Sequence, residues 1–253
     1  MTQFHVRVEP RGPVVEVVLD RPPLNVLDLG TLGTLHASLL ALRGRDDLRA
    51  LVLRSALDGT FSAGADVADH ARDRAPQMLA AMHAVVRALR ALPLPTIALV
   101  DGRCLGGGCE LALACDLVVA SPRATFGQPE IDLGCFPPVA AALLPRLAGR
   151  HASELVLLGR PVGAADALRM GLVNRVAADV EAEGRVLADA LAAKSRTALA
   201  AAVRAVRSGL EGTLDEALAR NERLYLDAVV PSADADEGVR AFLEKRAPVW
   251  SGR

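Results

Sequence analysis

Three glycines and an acid stand at the mouth of an otherwise apolar segment, Gly106-Gly107-Gly108-Cys109-Glu110-Leu111-Ala112-Leu113-Ala114-Cys115. Three glycines weaken a helix start, and a carboxylate beside Leu111 and Leu113 risks desolvation. What the arrangement provides is exposed N–H groups at the positive end of a helix, with an acid one turn further in. Such N–H groups can hold an oxygen that gains negative charge during a reaction, and the carboxyl can move a proton. Two further segments carry the same kind of group: Phe61-Ser62-Ala63-Gly64-Ala65-Asp66 and Phe126-Gly127-Gln128-Pro129-Glu130.

The elements that must position these segments are read from periodicity. Apolar runs at residues 14–19, 48–54, 96–100 and 117–120, with a short extended segment at 124–127, alternate with helical patterns at 28–43 and 76–92. This predicts an α/β fold with parallel crossovers, in which loops just beyond the strand ends carry the site. From Pro137 onward helices dominate, at about 139–147, 151–158, 164–170, 180–208 with a break near Lys194, 213–229 and 236–246, interrupted by a brief strand at 172–176. We therefore expect a core over residues 1–190 and a helical region over 191–253 whose apolar faces pack on another subunit.

Composition excludes several classes. The chain of 253 residues has a net charge of −1 and no basic run of five residues, which argues against nucleic acid or a membrane surface as partner. No signal core or long apolar stretch is seen, so a cytoplasmic location is expected. The five histidines show no metal-ligand spacing, and Cys104, Cys109, Cys115 and Cys135 form no Cys-x-x-Cys pair, so no metal site is expected and the cysteines read as free thiols. Gly-x-Ser-x-Gly is absent, Ser62 has no evident base apart from His70, and Leu111 occupies the last position of a would-be Gly-x-Gly-x-x-Gly. His70 and His83 read as packing or surface residues, and Cys135 as a small residue lining a pocket.

Taken together, the turn Ala63-Gly64-Ala65-Asp66, the glycine helix start, Phe126-Gly127-Gln128-Pro129-Glu130, Asn25, and Glu237-Gly238 through Phe242-Leu243-Glu244-Lys245-Arg246 resemble the crotonase (enoyl-CoA hydratase/isomerase) superfamily, in its order along almost the whole chain. The resemblance implies a spiral of ββα units with a C-terminal helical trimerisation region, assembled as a homotrimer or homohexamer. The backbone N–H groups of Ala65 and Gly107 would form an oxyanion hole for an acyl-CoA thioester, each donor contributing about 2.7–4 kcal/mol to the transition state. Glu110 and Glu130 match the two catalytic glutamates of the hydratases, suited to reversible water addition. Coenzyme A enters as part of the substrate, with no other cofactor. It would be held by Leu24, Val26, Ala63, Asp66 and Val67, with Tyr225 and Lys245 reaching in from the tail and Arg21 as a phosphate neighbour.

One stretch departs from the family. Where most hydratases carry Pro-Gly-x-Gly-Gly-Thr, this chain reads Cys135-Phe136-Pro137-Pro138-Val139-Ala140, and Pro138 has no N–H with which to hold the catalytic water. That stretch, with His70, His83 and the ending Phe242 through Arg246, looks like the cyclohexa-1,5-diene-1-carbonyl-CoA hydratases, whose ring would need an apolar cavity lined by Phe136, Pro138 and Val139. An open-chain enoyl-CoA hydratase or isomerase, an acyl-CoA hydrolase and a ring-opening member of the superfamily are the alternatives.

Overall fold

A computed structural model describes residues 5–209 and 211–252. The chain opens with a hairpin of β1 (Val6–Arg11) and β2 (Val14–Leu19), then α1 (Leu29–Leu42), whose first turn is capped by the Asp28 carboxylate on the Thr31 N–H at 2.8 Å. A unit of two strands and a helix then occurs three times. The first is β3 (Ala50–Ser55), β4 (Thr60–Ser62) and α2 (Ala75–Arg90). The second is β5 (Thr96–Val100), β6 (Arg103–Leu105) and α3 (Gly107–Ala114). The third is β7 (Leu117–Ala120), β8 (Thr125–Gly127) and α4 (Pro138–Ala148).

The first strand of each unit joins one sheet and the second strand joins another. With α5 (His151–Leu158), β9 (Val162–Gly163), α6 (Ala164–Arg169) and β10 (Arg175–Val176), the sheets become six-stranded in the order β1-β2-β3-β5-β7-β10 and four-stranded in the order β4-β6-β8-β9. β2, β3, β5, β7 and β10 run parallel, as do β4, β6 and β8. The periodicity predicts simple strand-helix alternation; the structure inserts β4 and β6 between strand and helix. Three residues each, they are too short to show a pattern of their own.

The larger sheet is covered on both faces, which is why its strands read as unbroken apolar runs. Leu51 and Leu53 of β3 and Ala98 and Val100 of β5 face the main core, whereas Val52, Ile97 and Leu99 face α7 (Val180–Ala192) through Val180 and Ala188. A domain boundary at 190 therefore falls inside a helix of the core, near its C-terminal end. The remaining helices are α8 (Arg196–Ser208), α9 (Leu214–Leu224), continued by a π-helical turn over Tyr225–Val229, and α10 (Ala233–Leu243). Glu237 of α10 anchors the chain end by accepting from Arg246 Nη1 at 2.6 Å and from the Val249 N–H at 2.9 Å. Among the described residues no helix is long and apolar enough to cross a membrane.

Arg207 ties α8 to the sheet. Its guanidinium donates to both carboxylate oxygens of Asp116, at 2.8 and 2.6 Å, and to the carbonyls of Arg90, Leu92 and Leu94. With the Arg207 side chain 9% exposed, removing it takes the counter-charge from a largely buried carboxylate, which keeps only the Thr96 N–H and hydroxyl as donors. Arg207→Leu should lower unfolding free energy by roughly 3–5 kcal/mol, read by denaturant titration.

Candidate active site

The smaller sheet sets the site. Ser62 pairs with Cys104 and Leu105 with Gly127, so the C-terminal ends of β4, β6 and β8 lie side by side. The three segments that carry the candidate groups leave from those ends, and the Gly106 N–H donates to the Gly127 carbonyl at 2.9 Å, joining the second to the third.

Ser62 and Asn25 lock the first segment. Asn25 is buried with a positive φ of 49°, its Nδ2 donating to the Phe61 carbonyl at 2.9 Å and to Ser55 Oγ at 2.7 Å. Ser62 Oγ donates to the Asn25 carbonyl at 2.7 Å and accepts from the Gly64 N–H at 3.1 Å. Leu27 donates its N–H to the Gly64 carbonyl at 2.9 Å. Ser62 is thus a structural hub; its hydroxyl proton is already given to a backbone carbonyl. Helix α3 rests directly on it, since a Cβ added to Gly108 would lie 2.5 Å from the Ser62 Cβ.

The turn so fixed presents Ala65 beside the start of α3. A Cβ on Gly107 would fall 3.4 Å from the Ala65 nitrogen, and among the described residues neither the Ala65 nor the Gly107 N–H has a protein acceptor. Gly106 has φ of 50°, and a Cβ there would strike the Glu130 carboxylate oxygen at 2.6 Å. Glycine at this position serves both the left-handed turn and the close seating of the acid.

Glu110 and Glu130 are both buried. Glu110 Oε1 accepts from the Ala140 N–H at 2.8 Å, and the Val139 N–H also reaches the carboxyl. Pro138 occupies the first position of α4, so the next two N–H groups are ones that a helix cannot satisfy itself. The proline stretch that replaces the family's glycines therefore supplies donors to the acid from Val139 and Ala140. Even so, burial pushes Glu110 up to about 7, with the Glu130 charge adding to the effect and the two N–H groups opposing it. Burial also raises Glu130, while the charge of His70 acts in the opposite direction. Among the described residues Glu130 Oε2 is buried without a hydrogen-bond partner.

Ala65, Gly107, Glu110, Glu130, Cys135, Phe136, Pro138 and Val139, eight of the residues singled out from the sequence, line one cavity of about 220 Å3. Its other walls are His70, Pro137 and, from α2, Ala75, Met78, Leu79, Met82 and His83. The α2 wall escaped the sequence reading because Met78 and Met82 look like any buried helical stripe; a histidine adjoining that stripe, at 83, is the available signal. Cys135 lines the pocket as expected, and burial with the Glu130 charge pushes its thiol upward, opposite to what a nucleophile needs.

Leu24, Val26, Ala63, Asp66 and Val67 do not line this cavity. Asp66 instead caps the short 3-10 turn over Val67–His70 through the Ala68 N–H at 2.9 Å. Arg21, expected near a phosphate, is engaged with Asp28 at 2.8 Å. Tyr225 and Lys245 are exposed on the tail and do not reach this chain's own cavity. A wider cleft of about 990 Å3 beside Arg90, Arg207 and Arg220 shares no lining residue with the paired acids.

Residues 9–253 match the family model described as enoyl-CoA hydratase/isomerase. The chain belongs to the enoyl-CoA hydratase/isomerase family. This hydratase-family chain is 38% identical over 250 residues to cyclohexa-1,5-dienecarbonyl-CoA hydratase of Thauera aromatica, covering 98% of this chain and 96% of that one. It is 37% identical over 252 residues to carnitinyl-CoA dehydratase of Proteus mirabilis, with coverage of 96% and 97%. Among solved structures, enoyl-CoA hydratase from Bacillus anthracis superposes with a TM-score of 0.94 at 31% identity, covering 98% of this chain and 100% of that chain. The protein is a hydro-lyase of the enoyl-CoA hydratase type, with the crotonase fold.

Glu110 gives the hydratase a pH-dependent stability. Its folded value near 7 lies above the ordinary 4.5, so the folded state binds this proton more tightly than the unfolded chain. That contribution is fully present below about 4.5 and is lost as pH rises through about 7. Glu110→Gln removes the burden of a buried charge. At pH 8 the variant should be more stable than wild type, by at most about 3 kcal/mol, and near pH 4.5 the two should melt together in calorimetry.

Proposed function

We propose that the protein adds water reversibly across the α,β double bond of an acyl-CoA thioester, and that its substrate is cyclohexa-1,5-diene-1-carbonyl-CoA. The observation that carries the hydration reading is the pairing of two buried carboxyls with two unengaged amides around one cavity whose remaining walls are mostly apolar. Attack of the water oxygen at the β-carbon moves electrons onto the thioester oxygen. The Ala65 and Gly107 amides donate to that oxygen, Gly107 adding the positive end of α3, and they favour the charged transition state over the neutral ground state. One glutamate accepts the water proton and the other delivers a proton to the α-carbon. The working pair therefore carries a single proton between its two carboxyls, and each turnover transfers it without net gain or loss.

The ring substrate is supported by the shape of the acyl end. Phe136, Pro138 and Val139 replace a flexible glycine stretch with stiff apolar surface facing Met78 and Met82. The relative in Thauera aromatica bears the corresponding name. No cofactor is needed beyond the coenzyme A carried by the substrate, which we place on the surface around Leu24, Val26, Ala63, Asp66 and Val67.

The assembly that fits is a homotrimer or homohexamer. Leu214, Leu218, Phe242 and Leu243 are exposed on the tail, and a second copy of the chain would cover them while bringing Tyr225 and Lys245 to a neighbouring site. Light scattering should return a mass of three or six chains, and a monomer would exclude this arrangement.

Turnover is tested by mass spectrometry against crotonyl-CoA, a branched enoyl-CoA and the cyclic dienoyl-CoA. A gain of about 18 mass units, greatest on the cyclic diene, is expected from the mass of the water that the general acid-base reaction adds. Water gain only on open-chain esters removes the ring assignment, and release of free coenzyme A replaces hydration with hydrolysis. Gly107→Pro, which deletes one oxyanion donor, should lower kcat by roughly 100-fold or more.

A further inference from the structure

We propose that the cleft between α2, α8 and α9 binds a ligand bearing a pyrophosphate group, held by the guanidinium groups of Arg87, Arg204 and Arg223. The cleft shares no lining residue with the cavity of the paired acids, and the proposal does not depend on the hydration reading.

The cleft measures about 990 Å3, and each of its three helices contributes two arginines. Arg87 and Arg90 come from α2, Arg204 and Arg207 from α8, and Arg220 and Arg223 from α9. The acids that line it are Glu211 and Asp227. Even with Asp116, the partner of Arg207, included, three positive charges are left unmatched in a chain whose net charge is −1.

The six arginines divide by their partners. Arg90, Arg207 and Arg220 are partly buried and are fixed in large part by backbone carbonyls. Arg90 Nη2 donates to the Arg207 carbonyl at 3.3 Å while Arg207 Nη1 donates to the Arg90 carbonyl at 2.8 Å, a reciprocal pair that locks α2 to α8. Arg220 Nη2 donates to the carbonyls of Ser208 and Glu211 at 2.9 and 2.6 Å. A carbonyl orients a guanidinium without cancelling its charge. Burial, with the neighbouring Arg207 charge, accordingly pulls Arg90 below the ordinary guanidinium range, and Asp116 and Glu211 oppose this only in part. Arg87, Arg204 and Arg223 are exposed, and among the described residues their side chains have neither a hydrogen bond nor an ion pair.

Three free guanidinium forks, one from each helix, thus line a space whose fixed arginines repel one another. A guanidinium matches phosphate oxygens in a bidentate way that a lone ammonium does not. One carboxylate would leave most of the excess charge in place. A phosphate group carries about −1.5 to −2 near neutral pH, so two joined groups come to roughly the charge that is unmatched. The walls between the arginines, Val86, Leu92 and Leu224, are apolar and strengthen each such contact by excluding water.

Calorimetric titration of the whole wild-type protein with inorganic pyrophosphate should saturate at about one ion per chain, with affinity falling as salt rises. Arg87→Gln combined with Arg223→Gln should weaken binding about tenfold or more, and Arg204→Gln alone should act in the same direction. Pyrophosphate should also raise the melting temperature of the wild type and not that of the double variant, whose fold circular dichroism checks. Lys245→Gln, which alters the tail surface we assign to coenzyme A, should bind pyrophosphate as the wild type does. ADP titrated in parallel separates the two sources of the group: tighter binding than pyrophosphate names a nucleotide as its carrier, and weaker binding names the inorganic ion. Absence of saturable binding overturns the proposal, as does binding lost in Lys245→Gln but kept in the double variant, or a stabilisation matched by sodium chloride at equal ionic strength. A double variant that loses mass in light scattering while the wild type binds no pyrophosphate would give these cations to an interface between copies, and likewise overturns it.

Discussion

A carboxyl group kept out of water without being left unpaired is the constraint on which this molecule turns. Glu110 must be dry enough to hold a proton near neutral pH, yet a wholly unsupported buried acid would cost several kcal/mol. The fold resolves this by placing it in the first turn of α3 and aiming the first free amides of α4 at its oxygen. Two helix starts therefore meet on one side chain. Most other features near the site serve that meeting: the glycines that admit Glu130, the serine on which α3 rests, and the proline pair that begins α4.

Much of this was legible in the chain. The strands of the larger sheet are apolar runs because both their faces are covered, and a run of that kind needs no tertiary information to be recognised. The spiral itself was not visible in periodicity, since β4, β6 and β8 span three residues each and their pairing is with one another rather than with neighbours in sequence. β1 was missed for a different reason: Arg7, Val8 and Pro10 are exposed, so its pattern carries little apolar signal.

At the site, the residues with unusual chemistry in an unusual place, Gly107, Glu110 and Glu130, could be named from sequence. What could not be read was how they are supported. The contact from Ala140 to Glu110 spans 30 positions and depends on the direction in which α4 leaves the proline pair. Pro138 suggested a lost donor; only the helix that it begins shows donors regained at the next two residues. The exposed positions of Tyr225 and Lys245 and the engagement of Arg21 with Asp28 likewise follow from tertiary placement.

The division of the cavity between two sources has an evolutionary corollary. The Ala65 and Gly107 amides and the two glutamates, which the proposed reaction sets against the thioester, are mounted on the ends of the small sheet and on α3, where Ser62 and Asn25 brace the first segment through backbone bonds. The remaining walls of the cavity come from α2 and the Cys135–Val139 stretch, whose Phe136 is 60% exposed. Substitutions in those walls can reshape the space for the acyl chain while the reacting centre keeps its geometry. A scaffold partitioned in this way permits drift from one acyl-CoA to another by small steps, because the paired amides and carboxyls keep their placement at each one.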